Sequence, residues 1–304
     1  MSPSSSWPRP KASRHWPSAS PAVSPNPTTT DPPERKPALH PPHGATRYGQ
    51  PSLTPLTHRP DATMRLYCLP PAGLGPSFYA RWAALLPSTV ELYAIQLPGR
   101  EALNDQPSLT DPRQLTTALA NEIANTDDDG LFAIFGHSLG SLLAYETARR
   151  LVRTHQRRPA LLALSAMPAP HARSLSSELS LHLSGQRSMD DAMSMIRQFL
   201  PARVIQNPTA LTLACTPLLA DVVLALHHAH QDEPPLDIPF AVYGGASDPL
   251  VTAEDLRAWS DLTTLPLTPR LFPGGHMYTT EQAPALTDRL HKDLLAVARY
   301  ATAP

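Results

Sequence analysis

The sequence predicts an α/β fold: a mostly parallel central sheet flanked by helices on both faces, with a helical insertion. Three observations carry this. From Met64 onward, short and nearly continuous apolar runs alternate with helical stretches, the pattern of strands covered on both faces. Each early run stops at Pro or Gly, as strand ends do. The stretch Pro168 to Pro235 has helical patterns but no strand.

In chain order, Arg65–Leu69 reads as a strand running into the loop Pro70-Pro71-Ala72-Gly73, and Ser77–Leu86 as a helix. Val90–Leu97 is the next strand, stopped by Pro98-Gly99, and Pro112–Asn125 is a helix behind the cap signal Thr110-Asp111. Leu131–Phe135 is a strand, Ser138–Thr154 a helix and Ala160–Ala166 a strand. After the insertion come strand Ile238–Tyr243, helix Ala253–Trp259, strand Arg270–Phe272 and helix Thr280–Arg299. The insertion carries helical patterns at Asp190–Leu200 and Thr209–His230. Lying between two sheet strands near their C-terminal ends, it is read as a lid over about residues 171–235.

The chain has 304 residues, 37 of them proline, and a formal net charge of −1. These figures average two unlike parts. Met1 to Thr63 holds 15 of the prolines and seven Lys/Arg against three acids, with hardly any periodic apolar positions. Such a segment buries too little apolar surface to offset the entropy of ordering, so residues 1–63 are expected to be a disordered proline-rich extension. Its prolines also exclude the amphipathic helix of a transit peptide. Two readings stay open: a flexible tail, or upstream sequence ahead of a true start at Met64. The second is favoured because the globular pattern begins there.

From Met64 the charge is mildly acidic, which gives no electrostatic reason to expect nucleic acid. No run approaches the roughly 18 apolar residues of a membrane span, and the N-terminus lacks a signal peptide's apolar stretch. Cys68 and Cys215 cannot make a disulfide framework and sit in apolar surroundings. A cytoplasmic monomer, with no membrane partner, is the expectation.

Gly136-His137-Ser138-Leu139-Gly140 matches G-x-S-x-G, directly after one expected strand and at the opening of a helix. A serine that merely caps a helix would need neither glycine. A serine on a strained strand-to-helix turn needs both, because a side chain at either position would meet the neighbouring strand or helix. Ser138 is therefore the candidate nucleophile. In such elbows the partners follow as acid, then histidine. His276 lies in Pro273-Gly274-Gly275-His276 after the last strand, where a loop histidine reaches the sheet edge. Asp248 lies in the turn after Ile238–Tyr243. Asp255 and Asp261 are rivals set within or beyond the next helix, and Glu178 is too far from Ala160–Ala166 to serve. His276 would take the serine's proton and Asp248 would hold the imidazole tautomer. The oxyanion donors are expected at the backbone N–H groups of Leu139 and Ala72.

These residues carry a resemblance. Leu66 to Gly73, Phe78-Tyr79 with Trp82, Gln96-Leu97-Pro98-Gly99-Arg100-Glu101, the serine elbow, Pro168-Ala169-Pro170-His171, Gly244–Leu250 with Trp259, and Gly274-Gly275-His276 resemble the type II (external) thioesterases. Those α/β-hydrolase-fold enzymes accompany polyketide synthases and non-ribosomal peptide synthetases. The likeness spans Met64 to the C-terminus and none of the extension, and the Leu-Pro-Gly-Arg-Glu loop is its most specific piece. It implies hydrolysis of acyl groups from the phosphopantetheine arm of acyl or peptidyl carrier proteins, removing stalled or misprimed chains. It also implies a lid over an acyl pocket with the carrier docking at its mouth, and no metal or cofactor, since pantetheine belongs to the substrate. Met277-Tyr278 and Ser165-Ala166-Met167 depart from the family pattern at positions that bear on pocket shape.

Two other functions compete: an esterase or acyltransferase acting on small or lipid esters, and a non-catalytic carrier-binding protein of the same fold. The run His227-His228-Ala229-His230 offers an i, i+3 pair but no cysteine or spaced carboxylate to complete a metal site, so it reads as a solvated helix end. Met189, Met193 and Met195 fit a lid lining an acyl pocket as well as ordinary lid packing.

Overall fold

A computed structural model describes residues 48–126, 130–172 and 206–301. The strands are β1 (Ser52–Pro55), β2 (Met64–Leu69), β3 (Val90–Gln96), β4 (Leu131–His137), β5 (Leu161–Ser165), β6 (Phe240–Gly245) and β7 (Arg270–Phe272). They form one sheet in the order β1-β3-β2-β4-β5-β6-β7, parallel throughout except for β1. The helices are α1 (Pro112–Ala124), α2 (Leu139–Thr154), α3 (Pro208–His227), α4 (Ala253–Arg257), α5 (Tyr278–Glu281) and α6 (Ala283–Ala301). The expected α/β-hydrolase-type architecture is what the described residues form.

Both faces of the sheet are buried, which explains the continuous apolar runs. Along β2, Tyr67 and Leu69 pack with α1, α2 and Trp259 on one face. Leu66 and Cys68 pack with Tyr79, Trp82 and the α6 residues Leu286, Leu290 and Leu294 on the other. This period of two is set by the pleat, so neighbouring residues feed opposite cores.

Strand ends move from their expected places for physical reasons. β4 continues through Gly136 to His137 and β6 through Gly244-Gly245, because these glycines allow close approach and do not turn the chain. Residues 76–84 make a 3-10 helix where an α-helix is expected over Ser77–Leu86. The expected C-terminal helix breaks at Gln282, since Pro284 has no N–H and its ring excludes the carbonyl one turn earlier.

The boundary at residue 63 is corrected. Residues 52–55 form an antiparallel edge strand registered Ser52 to Gln96 and Pro55 to Tyr93. Beyond it, Arg59 donates to the carbonyls of Pro87 and Val90 through Nη1 (2.6 and 2.7 Å) and of Ala83 through Nη2 (2.7 Å). Thr57 Oγ1 accepts the Leu92 N–H at 2.8 Å. The strand was missed because its pattern is polar and proline-bounded, which suits an edge. A chain beginning at Met64 loses all of this. Hydrogen bonds from a charged group contribute about 1.5–3 kcal/mol each, so a loss of at least about 3 kcal/mol and a Tm lower by about 6–12 °C are expected. An unchanged melting curve would contradict an integral β1.

Of the insertion, residues 168–172 and 206–235 fall within the description. Helix α3 occupies most of the expected Thr209–His230 pattern, while Asp190–Leu200, Glu178, Met189, Met193 and Met195 lie outside the described residues. No described helix is long and apolar enough to cross a membrane.

Candidate active site

The sheet order reverses about β2, with β3 on one side and β4 on the other. Loops leaving the C-terminal ends of β2 and β4 therefore emerge side by side, Leu69 being paired with Gly136. In open α/β sheets such a switch point is where ligands bind.

The elbow forms at the end of β4. Ser138 has φ 53° and ψ −126°, a left-handed conformation that costs a non-glycine residue about 1–3 kcal/mol. Both flanking glycines are required by close backbone approach. A Cβ on Gly136 would stand 2.2 Å from the Gly140 oxygen, and one on Gly140 would stand 2.3 Å from the Leu69 oxygen. Ser141 pins the turn from below: its hydroxyl donates to the Gly136 and Ser165 carbonyls in a shared bond (2.8 and 2.9 Å) and accepts the Ser165 N–H (2.9 Å).

His276 Nε2 lies 2.9 Å from Ser138 Oγ, and His276 Nδ1 lies 2.9 Å from Asp248 Oδ2. The other carboxylate oxygen, Oδ1, accepts the N–H groups of Leu250 and Val251 at 2.8 and 3.3 Å. Asp248 is thus fully occupied as an acceptor, and the network sets the tautomer. Nδ1–H donates to Asp248, and Nε2 is left to receive the Ser138 O–H. The two loops are laced together, with the Ala246 N–H on the Phe272 oxygen (2.7 Å) and the Ser247 N–H on the Gly274 oxygen (2.9 Å). Gly245 lets the histidine loop approach: a Cβ there would stand 2.3 Å from the Gly275 oxygen.

The rival acids have other work. Asp255 closes a capping box with Thr252 at the start of α4, and Asp261 pairs with His171 at 3.1 Å. Leu139 opens α2, so its N–H has no acceptor within the helix. Ala72 lies in the turn closed by the Leu74 N–H on the Pro71 oxygen (3.1 Å). His227 meets the Thr110 carbonyl and His228 meets Glu146. No cluster of three His, Cys, Asp or Glu side chains suited to a metal occurs among the described residues.

This constellation sits within residues 64–294, which match the family model for the thioesterase domain. The chain belongs to the thioesterase family. This thioesterase is 31% identical over 225 residues to the thioesterase PikA5 of Streptomyces venezuelae, covering 73% of this chain and 78% of that one. It is 28% identical over 236 residues to the gramicidin S biosynthesis protein GrsT of Aneurinibacillus migulanus, covering 78% of this chain and 91% of that one. Its fold is similar to that of the type II thioesterase BorB from the borrelidin biosynthetic cluster. There the TM-score is 0.68 at 27% identity, over 79% of this chain and 96% of that one. The resemblance read from the loop motifs holds.

Two parts of the thioesterase's site were not read from the sequence. The first is a buried chain beneath the elbow: His137 Nδ1 lies 2.9 Å from Ser165 Oγ, which lies 2.6 Å from the Tyr278 hydroxyl. Burial holds the His137 imidazole well below its ordinary range, and the neighbouring His276 adds to the shift. His137 is therefore neutral beside His276. The unfolded chain protonates this residue below about pH 6.5 and the folded protein does not, so stability falls with pH by up to about 1.4 kcal/mol per unit. Urea unfolding from pH 7 to 5 is expected to show a steeper loss in the wild type than in His137→Gln. Equal slopes would contradict a neutral buried His137. The second missed part joins α3 to the Ala72 turn, through Arg100 and Asp221. Asp221 is an acid inside an apolar helical stretch, and a buried charge there needs a cation.

Proposed function

We propose that this thioesterase hydrolyses acyl chains from the phosphopantetheine arm of acyl or peptidyl carrier proteins, editing stalled or misprimed intermediates in polyketide or non-ribosomal peptide synthesis. The observation that carries the chemistry is the unbroken relay from Ser138 through His276 to Asp248 at an elbow. The substrate class is supported by the relatives, whose names place them in gramicidin S biosynthesis and, as a type II thioesterase, in the borrelidin biosynthetic cluster.

In this mechanism Ser138 Oγ attacks the thioester carbonyl carbon while its proton passes to His276 Nε2. Asp248 stabilises the imidazolium and keeps the ring aligned. The N–H groups of Ala72 and Leu139 receive the oxyanion. Collapse of the tetrahedral intermediate breaks the C–S bond, and His276 returns the proton to the departing thiolate. Water then attacks the acyl-serine, giving its proton to His276, and the second collapse restores the Ser138 hydroxyl and releases the carboxylic acid. No step requires a metal or a cofactor.

The competing esterase reading is tested by kcat/KM on matched acyl-carrier thioesters and oxygen esters. A clear preference for the thioesters is expected, and a preference for the oxygen esters would sink the proposal.

A further inference from the structure

Helix α3 reaches the turn that bears Ala72 through two residues on one face, Leu218 and Asp221, spaced three apart. Asp221 Oδ2 accepts the Gly73 N–H at 2.7 Å, immediately after Ala72. The same carboxylate takes a two-pronged bond from Arg100, Nη1 to Oδ2 at 2.6 Å and Nη2 to Oδ1 at 2.7 Å. Both side chains are buried, 4% and 3% exposed. Arg100 Nη1 also approaches the Leu74 carbonyl at 3.3 Å, so the pair grips the turn on both sides of Gly73. Gly73 itself has φ +76°, and a Cβ there would stand 3.0 Å from Leu218 Cβ. The helix is seated directly on a turn that only glycine accommodates comfortably.

We propose that Arg100 and Asp221 are positioning residues of the oxyanion hole, and that α3 completes that hole by fixing the direction of the Ala72 N–H. By accepting the Gly73 N–H, Asp221 orients the peptide on one side of that residue. Proline at position 71 and the positive φ at Gly73 leave the turn little other freedom. Arg100 supplies the charge that lets Asp221 stay buried and aimed at the turn. The Leu-Pro-Gly-Arg-Glu loop thereby acts at a distance from the reacting atoms, through a helix of the insertion. The proposal rests on Ala72 and Leu139 as oxyanion donors to an acyl-Ser138 intermediate.

The test replaces the pair by apolar residues of similar volume, a change that buried ion pairs often tolerate without loss of stability. Arg100→Met with Asp221→Leu removes the acceptor for the Gly73 N–H, whereas Arg100→Met with Asp221→Asn restores a neutral one. On a small acyl thioester the first variant is expected to lose about 10²-fold in kcat with KM within about two-fold of wild type. The second is expected to recover most of that loss. Wild-type kcat in the first variant, equal loss in both, or a change confined to KM would overturn the proposal. If the first variant fails to fold, Arg100→Met with Asp221→Ala takes its place, removing the same acceptor with a smaller side chain, and wild-type kcat there, or an equal loss in the variant with Asp221→Asn, overturns the proposal. Ser138→Ala run alongside separates the two claims. Retained hydrolysis there overturns the site reading itself, whereas lost hydrolysis with an active apolar pair overturns only the role of Arg100 and Asp221.

Discussion

Replacing Ser138 by alanine is expected to lower kcat on an acyl thioester by about 10⁵–10⁶-fold, with Tm little changed. The size of the loss follows from the reaction's division into two displacements. Without Oγ there is no acyl-enzyme, and what remains is the weak effect of binding and of the oxyanion donors. The change should not destabilise the fold, because Ser138 makes no side-chain bond that caps α2. Alanine is also held at φ 53°, so the strain of the elbow persists and no compensation is gained. Steady-state kinetics with thiol release, alongside a thermal melt, measures both. A variant that keeps more than a hundredth of wild-type kcat would remove Ser138 from the chemistry.

Asp248→Asn is expected to cost about 10⁴-fold in kcat while the loops stay in place. Oδ1 of the present carboxylate is fixed by the N–H groups of Leu250 and Val251. An asparagine keeps its carbonyl oxygen there and turns its NH₂ toward His276 Nδ1. That donor forces Nδ1 to accept, so the ring proton moves to Nε2, which then cannot receive the Ser138 proton. Truncation to alanine is a different experiment, since it leaves the imidazole free to take either tautomer. It is expected to retain more activity than asparagine. The reverse order, with Asp248→Asn the more active, would contradict the tautomer role.

Much of this site was legible because its physics is local. Gly136 and Gly140 bracket Ser138 for reasons of backbone contact that follow from the turn alone. Gly274-Gly275 and the pair Gly244-Gly245 mark backbone that must approach closely, which located His276 and Asp248. What escaped notice depends on distant pairings. β1 has no apolar period, and only its ladder with β3 and the three carbonyls held by Arg59 reveal it. Arg100 was visible as part of a family motif, but its partner Asp221 lies 121 residues away in the insertion. The chain from His137 through Ser165 to Tyr278 likewise unites the ends of two strands and the start of a helix. Glycines at 136, 244 and 245 were read as stops, yet the ladder runs through them, because a missing Cβ permits crowding as readily as it permits a turn.

The most direct measurement is the intact mass of an acylated carrier protein before and after incubation with the wild-type enzyme and with Ser138→Ala. The account predicts that the wild type removes the acyl mass and leaves the carrier with its free phosphopantetheine thiol, while the variant leaves the acylated mass unchanged. An acyl-carrier mass that persists with the wild type, in a preparation that hydrolyses simple oxygen esters, would contradict it.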